Sequence, residues 1–265
     1  MSTMNYMVRN IMKRQNLLPY LFIILIAAGW LAAQDTLPIV EPQLPTATPQ
    51  TTQVQVQPQP AAQQTQTAKA DALVLFRQGR DLELKGKKAE AIKYYQDAIA
   101  VCDMELAKDA ARMDAYTIKC WSLFRLEQYR QVIDVGNTAL KVRYDTRIVE
   151  TMGEAYYFLN DFSNCLRSMQ NYINNTTENA DRVSTAYFYM AETYVRLQKY
   201  EHADIAYAMA VYKEPSMVRW WFRYAQVVEK LEDHVRAYAL YTKVLQMSPA
   251  NKEAQEGLAR AKSKM

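Results

Sequence analysis

Glycine is scarce in this chain, with six among 265 residues. Six is too few for a turn-rich β-sandwich or for a set of glycine-rich phosphate loops. Histidine is rarer still, at two, and cysteine numbers three. No H-E-x-x-H, C-x-x-C or G-x-S-x-G occurs, and Gly86-Lys87 lacks the spaced glycines of a phosphate loop. Metal hydrolysis, redox dithiol chemistry and the common nucleophile elbow therefore have no sequence basis, and neither a metal nor a cofactor is expected. Charge of one sign is also missing. Residues 69–265 carry 29 basic and 26 acidic groups, so no block of positive charge is available for a nucleic-acid backbone. Proline numbers nine, but seven of these precede residue 61, leaving only Pro215 and Pro249. What remains is 50% hydrophobic, enough to exclude global disorder, and rich in Ala, Leu, Tyr, Lys, Glu and Gln. A long stretch of that composition, nearly free of Pro and Gly, reads as helical.

Composition divides the chain into four segments. Residues 1–16 are polar and basic, with Arg9, Lys13 and Arg14 and no acid. Residues 17–34 contain the uncharged run LLPYLFIILIAAGWLAA, which at helical rise spans roughly 25 Å, the short end of what crosses a bilayer. The basic cluster before it places the amino end in the cytoplasm. Two readings stand: an uncleaved signal anchor, or a signal peptide cleaved near Ala33. Leu31 fits the second poorly, and no cysteine follows closely for lipid attachment. Residues 35–68 are a disordered linker, 22 of whose 34 residues are Pro, Gln or Thr. Its reach is on the order of 30 Å as a coil and about 100 Å when extended. Its QVQVQPQP piece also has the form of a strand that could add to a partner's sheet edge. Residues 69–265 show apolar positions at helical spacing with short polar breaks.

The last segment repeats itself. Tyr187–Pro215 aligns with Trp221–Pro249 without a gap at an offset of 34, pairing Ala191 with Ala225, Ala203 with Ala237, Tyr207 with Tyr241 and Pro215 with Pro249. Extending the phase backwards puts Gly79, Cys120, Gly153, Ala191, Ala225 and Ala259 at one small position. Ala91, Val132, Cys165, Ala203 and Ala237 take a second. Tyr95, Gly136, Met169, Tyr207 and Tyr241 then hold the large position that follows. This pattern resembles the tetratricopeptide repeat (TPR), a helix–turn–helix unit of 34 residues. The resemblance covers about three quarters of the chain. It implies an all-α fold, a right-handed α-solenoid of five helix hairpins plus a carboxyl-terminal capping helix. First-helix spacings of 41 and 38 predict a lengthened helix or loop after repeats one and three. Gly136, Tyr172, Val244 and Lys88 depart from the family pattern.

The resemblance also implies a function. In that family the first helices line a concave groove that takes a peptide. Carried onto this sequence, the partner-binding positions are Phe76, Arg80, Trp121, Phe124, Arg147, Glu154, Tyr157, Phe188, Glu192, Arg219, Phe222 and Arg223, with Thr117, Glu150 and Gln226 on the same face. Aromatic and arginine anchors are what peptide hot spots use. The bland alternative is that the phenylalanines pack between helices and the charges are merely solvated. Arg219 and Arg223 lie one turn apart, a partial match to the basic clamp some family members use on a chaperone tail. His202 and His234 read as surface or packing residues, and Cys120 and Cys165 as buried small groups. Asn175-Thr176-Thr177 forms a glycosylation sequon. The expectation is a non-enzymatic scaffold for a protein or peptide partner, held by a single-pass helix in a bacterial inner membrane with its repeats in the periplasm. Three rivals differ from it: an organelle outer-membrane receptor, an enzyme built on Glu150 and Glu154, and a self-assembling spacer.

Overall fold

The computed structural model describes residues 71–265. The segments read from sequence as a basic amino-terminal stretch, a membrane anchor and a linker lie outside them. Among the described residues there are eleven α-helices and no strand. Five hairpins follow in order: α1 (Ala72–Leu84) with α2 (Lys88–Lys108), α3 (Met113–Arg125) with α4 (Tyr129–Val142), α5 (Thr146–Phe158) with α6 (Phe162–Asn174), α7 (Val183–Arg196) with α8 (Tyr200–Lys213), and α9 (Val218–Lys230) with α10 (His234–Met247). A single helix, α11 (Lys252–Ser263), closes the stack. Among these helices none is long and apolar enough to cross a membrane.

The irregular spacings have local causes. Repeat one is longer because α2 runs for 21 residues, against 13 or 14 in the other hairpin helices. Repeat three is longer because eight residues, 175–182, separate α6 from α7. Within every hairpin the turn is the same Schellman motif, closed by a bond from the second residue after the cap back to the helix. Lys87 N–H donates to Leu82 O at 2.9 Å, and Gln128, Asp161 and Lys199 donate to Leu123, Tyr156 and Tyr194 at the same distance. Asp233 donates to Val228 O at 3.3 Å. That motif needs one residue with positive φ. Gly86 supplies it once, and Glu127, Asn160, Gln198 and Glu232 supply it at 56–59° despite their β-carbons. Asp71, Asp145, Asp161, Asp233 and Asn251 cap helix amino termini with their side chains.

The core is the seam between helices. Ala91, Val132, Cys165, Ala203 and Ala237 are fully buried on the second helices, where a small side chain lets the axes approach. Tyr95, Met169, Tyr207 and Tyr241 fill the next position, also buried. Gly136, the exception, is filled from its neighbour: Met152 on α5 puts its thioether where a Gly136 β-carbon would lie. One part of the repeat phase is corrected. Ala259 is exposed, because α11 has no second helix to cover that face. Gly257 instead meets the stack, its missing β-carbon making room for the Tyr241 ring, with Ala254 and Ala261 buried beside it.

The two classes of helix are not equivalent. First helices touch along the stack, α1 to α3, α3 to α5, α5 to α7 and α9 to α11, while successive second helices make no comparable contact. The first helices thus run along the inner side of the curve, as the resemblance implies.

Candidate functional site: an aromatic and acidic cleft on the inner face

A cleft of about 850 Å³ opens on the inner face of the first four hairpins. Of the twelve positions proposed from sequence, it brings together six: Phe76, Arg80, Trp121, Phe124, Arg147 and Glu154. A second hollow of about 580 Å³ adjoins it and shares Phe76, Arg80, Trp121 and Arg147. The walls are aromatic. Phe76 and Trp121 lie 5.5 Å apart between ring centres, and Phe124 meets both Tyr129 and Phe158 edge-on at 5.5 and 5.7 Å. Tyr129 and Phe158 stack at 4.8 Å and 7°. Phe158 remains 44% exposed, so this wall still has apolar area to cover.

Buried charge sits behind the rings. Glu150 and Glu154 lie one helical turn apart on α5, 4% and 6% exposed. Both accept from one arginine. Arg182 Nε and Nη2 donate to Glu150 Oε1 at 2.9 and 2.7 Å, and Nη2 also donates to Glu154. Tyr189 on α7 lines the cleft beside them. Burial, and then the charge of Glu154, push the Glu150 carboxyl well above the usual carboxylate range. Two carboxylates share one cation here, so Glu150 favours retaining its proton.

At one end of the cleft and again farther along the groove, charge closes on itself. The Glu83 carboxylate on α1 accepts the Tyr95 hydroxyl at 2.7 Å and Arg125 Nε at 2.9 Å, tying three successive helices together. Burial alone would raise Glu83, but the bonds from Arg125 and Tyr95 hold it below its ordinary value. The same partner raises the Tyr95 hydroxyl, already pushed up by burial, to about 12. Glu229 repeats the device with Tyr241 at 2.6 Å and Arg260 at 2.8 and 3.1 Å. Glu192 does so with Tyr207 and with Arg223 at 2.7 and 3.0 Å. Each clamp joins a first helix to its own second helix and to the next first helix.

This places the remaining positions. Glu192 and Arg223 bond each other, and Tyr157 donates to Glu192 at 3.4 Å. Phe188 stacks on Trp220 at 4.9 Å, and Phe222 tilts against Tyr241 at 6.1 Å. None of these five lines the cleft; Arg219 is exposed beyond it. Arg147, within the cleft, is held by Asp145 at 2.7 Å and Asp114 at 3.0 Å. Sequence reasoning missed Glu83, Arg125, Phe158, Tyr129, Arg182 and Tyr189. The first three continue the recognised stripes by one helical turn from Arg80, Trp121 and Glu154, a signal that was present. Tyr129 starts a second helix, and Arg182 comes from the long connection after α6, where the repeat phase says nothing.

No family model matches the sequence, and no curated protein matches it. Solved structures do. MamA aligns with a TM-score of 0.52 at 15% identity, over 69% of this chain and 96% of its own. A MamA fragment from Desulfovibrio magneticus RS-1 gives 0.51 at 17% identity, over 70% and 99%. YrrB, described as a TPR protein with an unusual peptide-binding site, gives 0.48 at 16% identity, over 74% and 94%. Helix order, hairpin turns, buried small residues and the two MamA alignments agree that residues 71–265 have the fold of a tetratricopeptide-repeat solenoid.

Proposed function

We propose that the protein is a non-enzymatic scaffold that grips an extended segment of a partner protein in the inner cleft of its first four hairpins. The observation that carries this is the coincidence of an open hollow of about 850 Å³ with half-exposed aromatic rings from successive repeats. Trp121, Phe124 and Phe158 offer large rigid contact area at low entropic cost, which is how peptide grooves gain affinity. The carboxyl-terminal hairpins contribute differently: their inner charges are consumed in the Glu192 and Glu229 clamps, which stiffen the stack. Glu150 and Glu154 hold a shared arginine, an arrangement that binds rather than one that pairs an acid with a separate base.

The uncharged run in residues 17–34, behind Arg9, Lys13 and Arg14, supports a tether into a bacterial inner membrane, with the solenoid displayed in the periplasm for an envelope assembly, secretion or chaperone complex. Protease access to intact cells and spheroplasts tests that placement. The groove itself is tested by crosslinking pull-down with the full chain and with its Trp121→Ala variant. Loss of the recovered partner in the variant supports the reading, and an unchanged set of partners overturns it.

A further inference from the structure

Resting on that reading, we infer that the partner segment is basic, and that a lysine or arginine side chain enters the cleft with its charge on the Glu150–Glu154 pair and its stem against Tyr129, Phe158 and Tyr189. The cleft and its adjoining hollow are lined by nine carboxylates and six arginines and by no lysine, in a chain whose net charge is +4. Negative charge is thus concentrated inside the groove of a basic protein.

Most of those arginines are already engaged. Arg125 bonds Glu83, Arg112 bonds Glu105, Arg147 bonds two aspartates, and Arg182 is divided between Glu150 and Glu154. Glu127 and Asp181, which also line the cleft, form no ion pair among the described residues. The deepest charge is the least compensated: two carboxylates under 7% exposed face one arginine whose side chain is half in solvent. A second cation placed there would take the place of the proton that Glu150 otherwise keeps and give each carboxylate its own partner, in surroundings dry enough to make the pairing strong. The rings beside it suit such a guest. Tyr189 lies 6.2 Å from Phe158, which stacks on Tyr129. Aromatic faces accept both the methylenes and the positive head of Lys or Arg. An acidic side chain would instead meet a buried carboxylate across low dielectric and be rejected.

The test uses the full chain and decapeptide mixtures whose centre is fixed as arginine, citrulline or glutamate, all other positions being randomised. Citrulline keeps the shape of arginine and removes its charge. Retention of the arginine mixture at least tenfold above the other two is expected. That preference should vanish in the Glu150→Gln/Glu154→Gln variant, while Trp121→Ala weakens all retained peptides. Peptides that bind and depend on Trp121 without favouring arginine overturn this inference and leave the groove standing. So does a preference that survives the double variant. Failure of every mixture to bind overturns the inference and the groove together.

Discussion

Replacing Glu150 by glutamine should stabilise the protein near pH 8 and have little effect near pH 4.5. Glu150 is 4% exposed, its neighbour Glu154 is 6% exposed, and one arginine serves both. Burial and the adjacent charge raise the folded-state pKa of Glu150 above its ordinary 4.5. A group raised in this way binds its proton more tightly folded than unfolded. Below about pH 4.5 both states are protonated and nothing is lost; as pH rises above that value the unfolded chain ionises more easily, and stability falls until the folded carboxyl also titrates. Glutamine keeps the volume and an oxygen that can accept from Arg182, but has no charge to bury. Converting a strained buried charge to a neutral isostere is worth on the order of 1–2 kcal/mol. For a domain of this size that is about 2–8 °C in Tm. Urea midpoints of the full chain and the variant, followed by far-ultraviolet circular dichroism at pH 8 and pH 4.5, read the difference directly. A variant destabilised at pH 8 by as much as at pH 4.5 would refute the reasoning, since Glu150 would then be an ionised carboxylate well satisfied by Arg182. The gain in stability should coincide with a loss of arginine-peptide binding, the trade expected when a residue is kept for binding at the expense of the fold.

Other expectations follow from the turns, the seams and the clamps. Glu127→Gly, Gln198→Gly and Glu232→Gly each relieve a β-carbon at positive φ. They should raise stability by about 0.5–1 kcal/mol after the entropic cost of glycine, measured as a shift in urea midpoint. Gly79→Ala should do the reverse: its β-carbon would come within 2.7 Å of the Tyr95 ring, and overpacking of that kind costs about 1–3 kcal/mol although alanine is the better helix former. The Glu83, Glu192 and Glu229 carboxyls are all held below 4.5 by their arginine and tyrosine partners, after burial is opposed at Glu83 and Glu192. Their stabilising contribution is complete above pH 4.5 and is lost as pH falls through the lower folded values, so Arg223→Gln should flatten the acid side of a stability–pH profile. Cys120 and Cys165 are buried, with thiols pushed up to about 12 and about 11, so native protein should react with a thiol reagent no faster than it unfolds.

The hairpin architecture was legible in the sequence because its physics is local. An offset of 34 between two ungapped segments, with alanine facing alanine, specifies close helix pairs, and the buried Ala191, Ala203, Ala225 and Ala237 lie at those positions. The turns were less legible, because four of the five positive-φ sites carry Glu, Asn or Gln where glycine would have marked them. Gly136 looked like a defect and is a socket for Met152, a relation between residues in different repeats that no single-repeat pattern contains. Half of the groove set lies around the cleft because the inner stripe of α1, α3 and α5 follows the repeat phase. Glu192, Arg223, Phe188 and Phe222 follow the same phase, but pairing decides whether such a residue faces a guest or its neighbour, and pairing depends on which charge stands one repeat away. The Glu150–Glu154 pair was visible as two carboxylates on one face; its single counter-charge was not, since Arg182 belongs to a connection outside the repeat.

On the proposed reading, a partner touches the solenoid at its inner cleft. A photo-crosslinking side chain installed in the full chain at Phe158, on the cleft wall, should capture a partner protein from cells. The same group at Tyr212, 64% exposed on second helix α8, should not. Capture from position 212 with none from position 158 would contradict that reading.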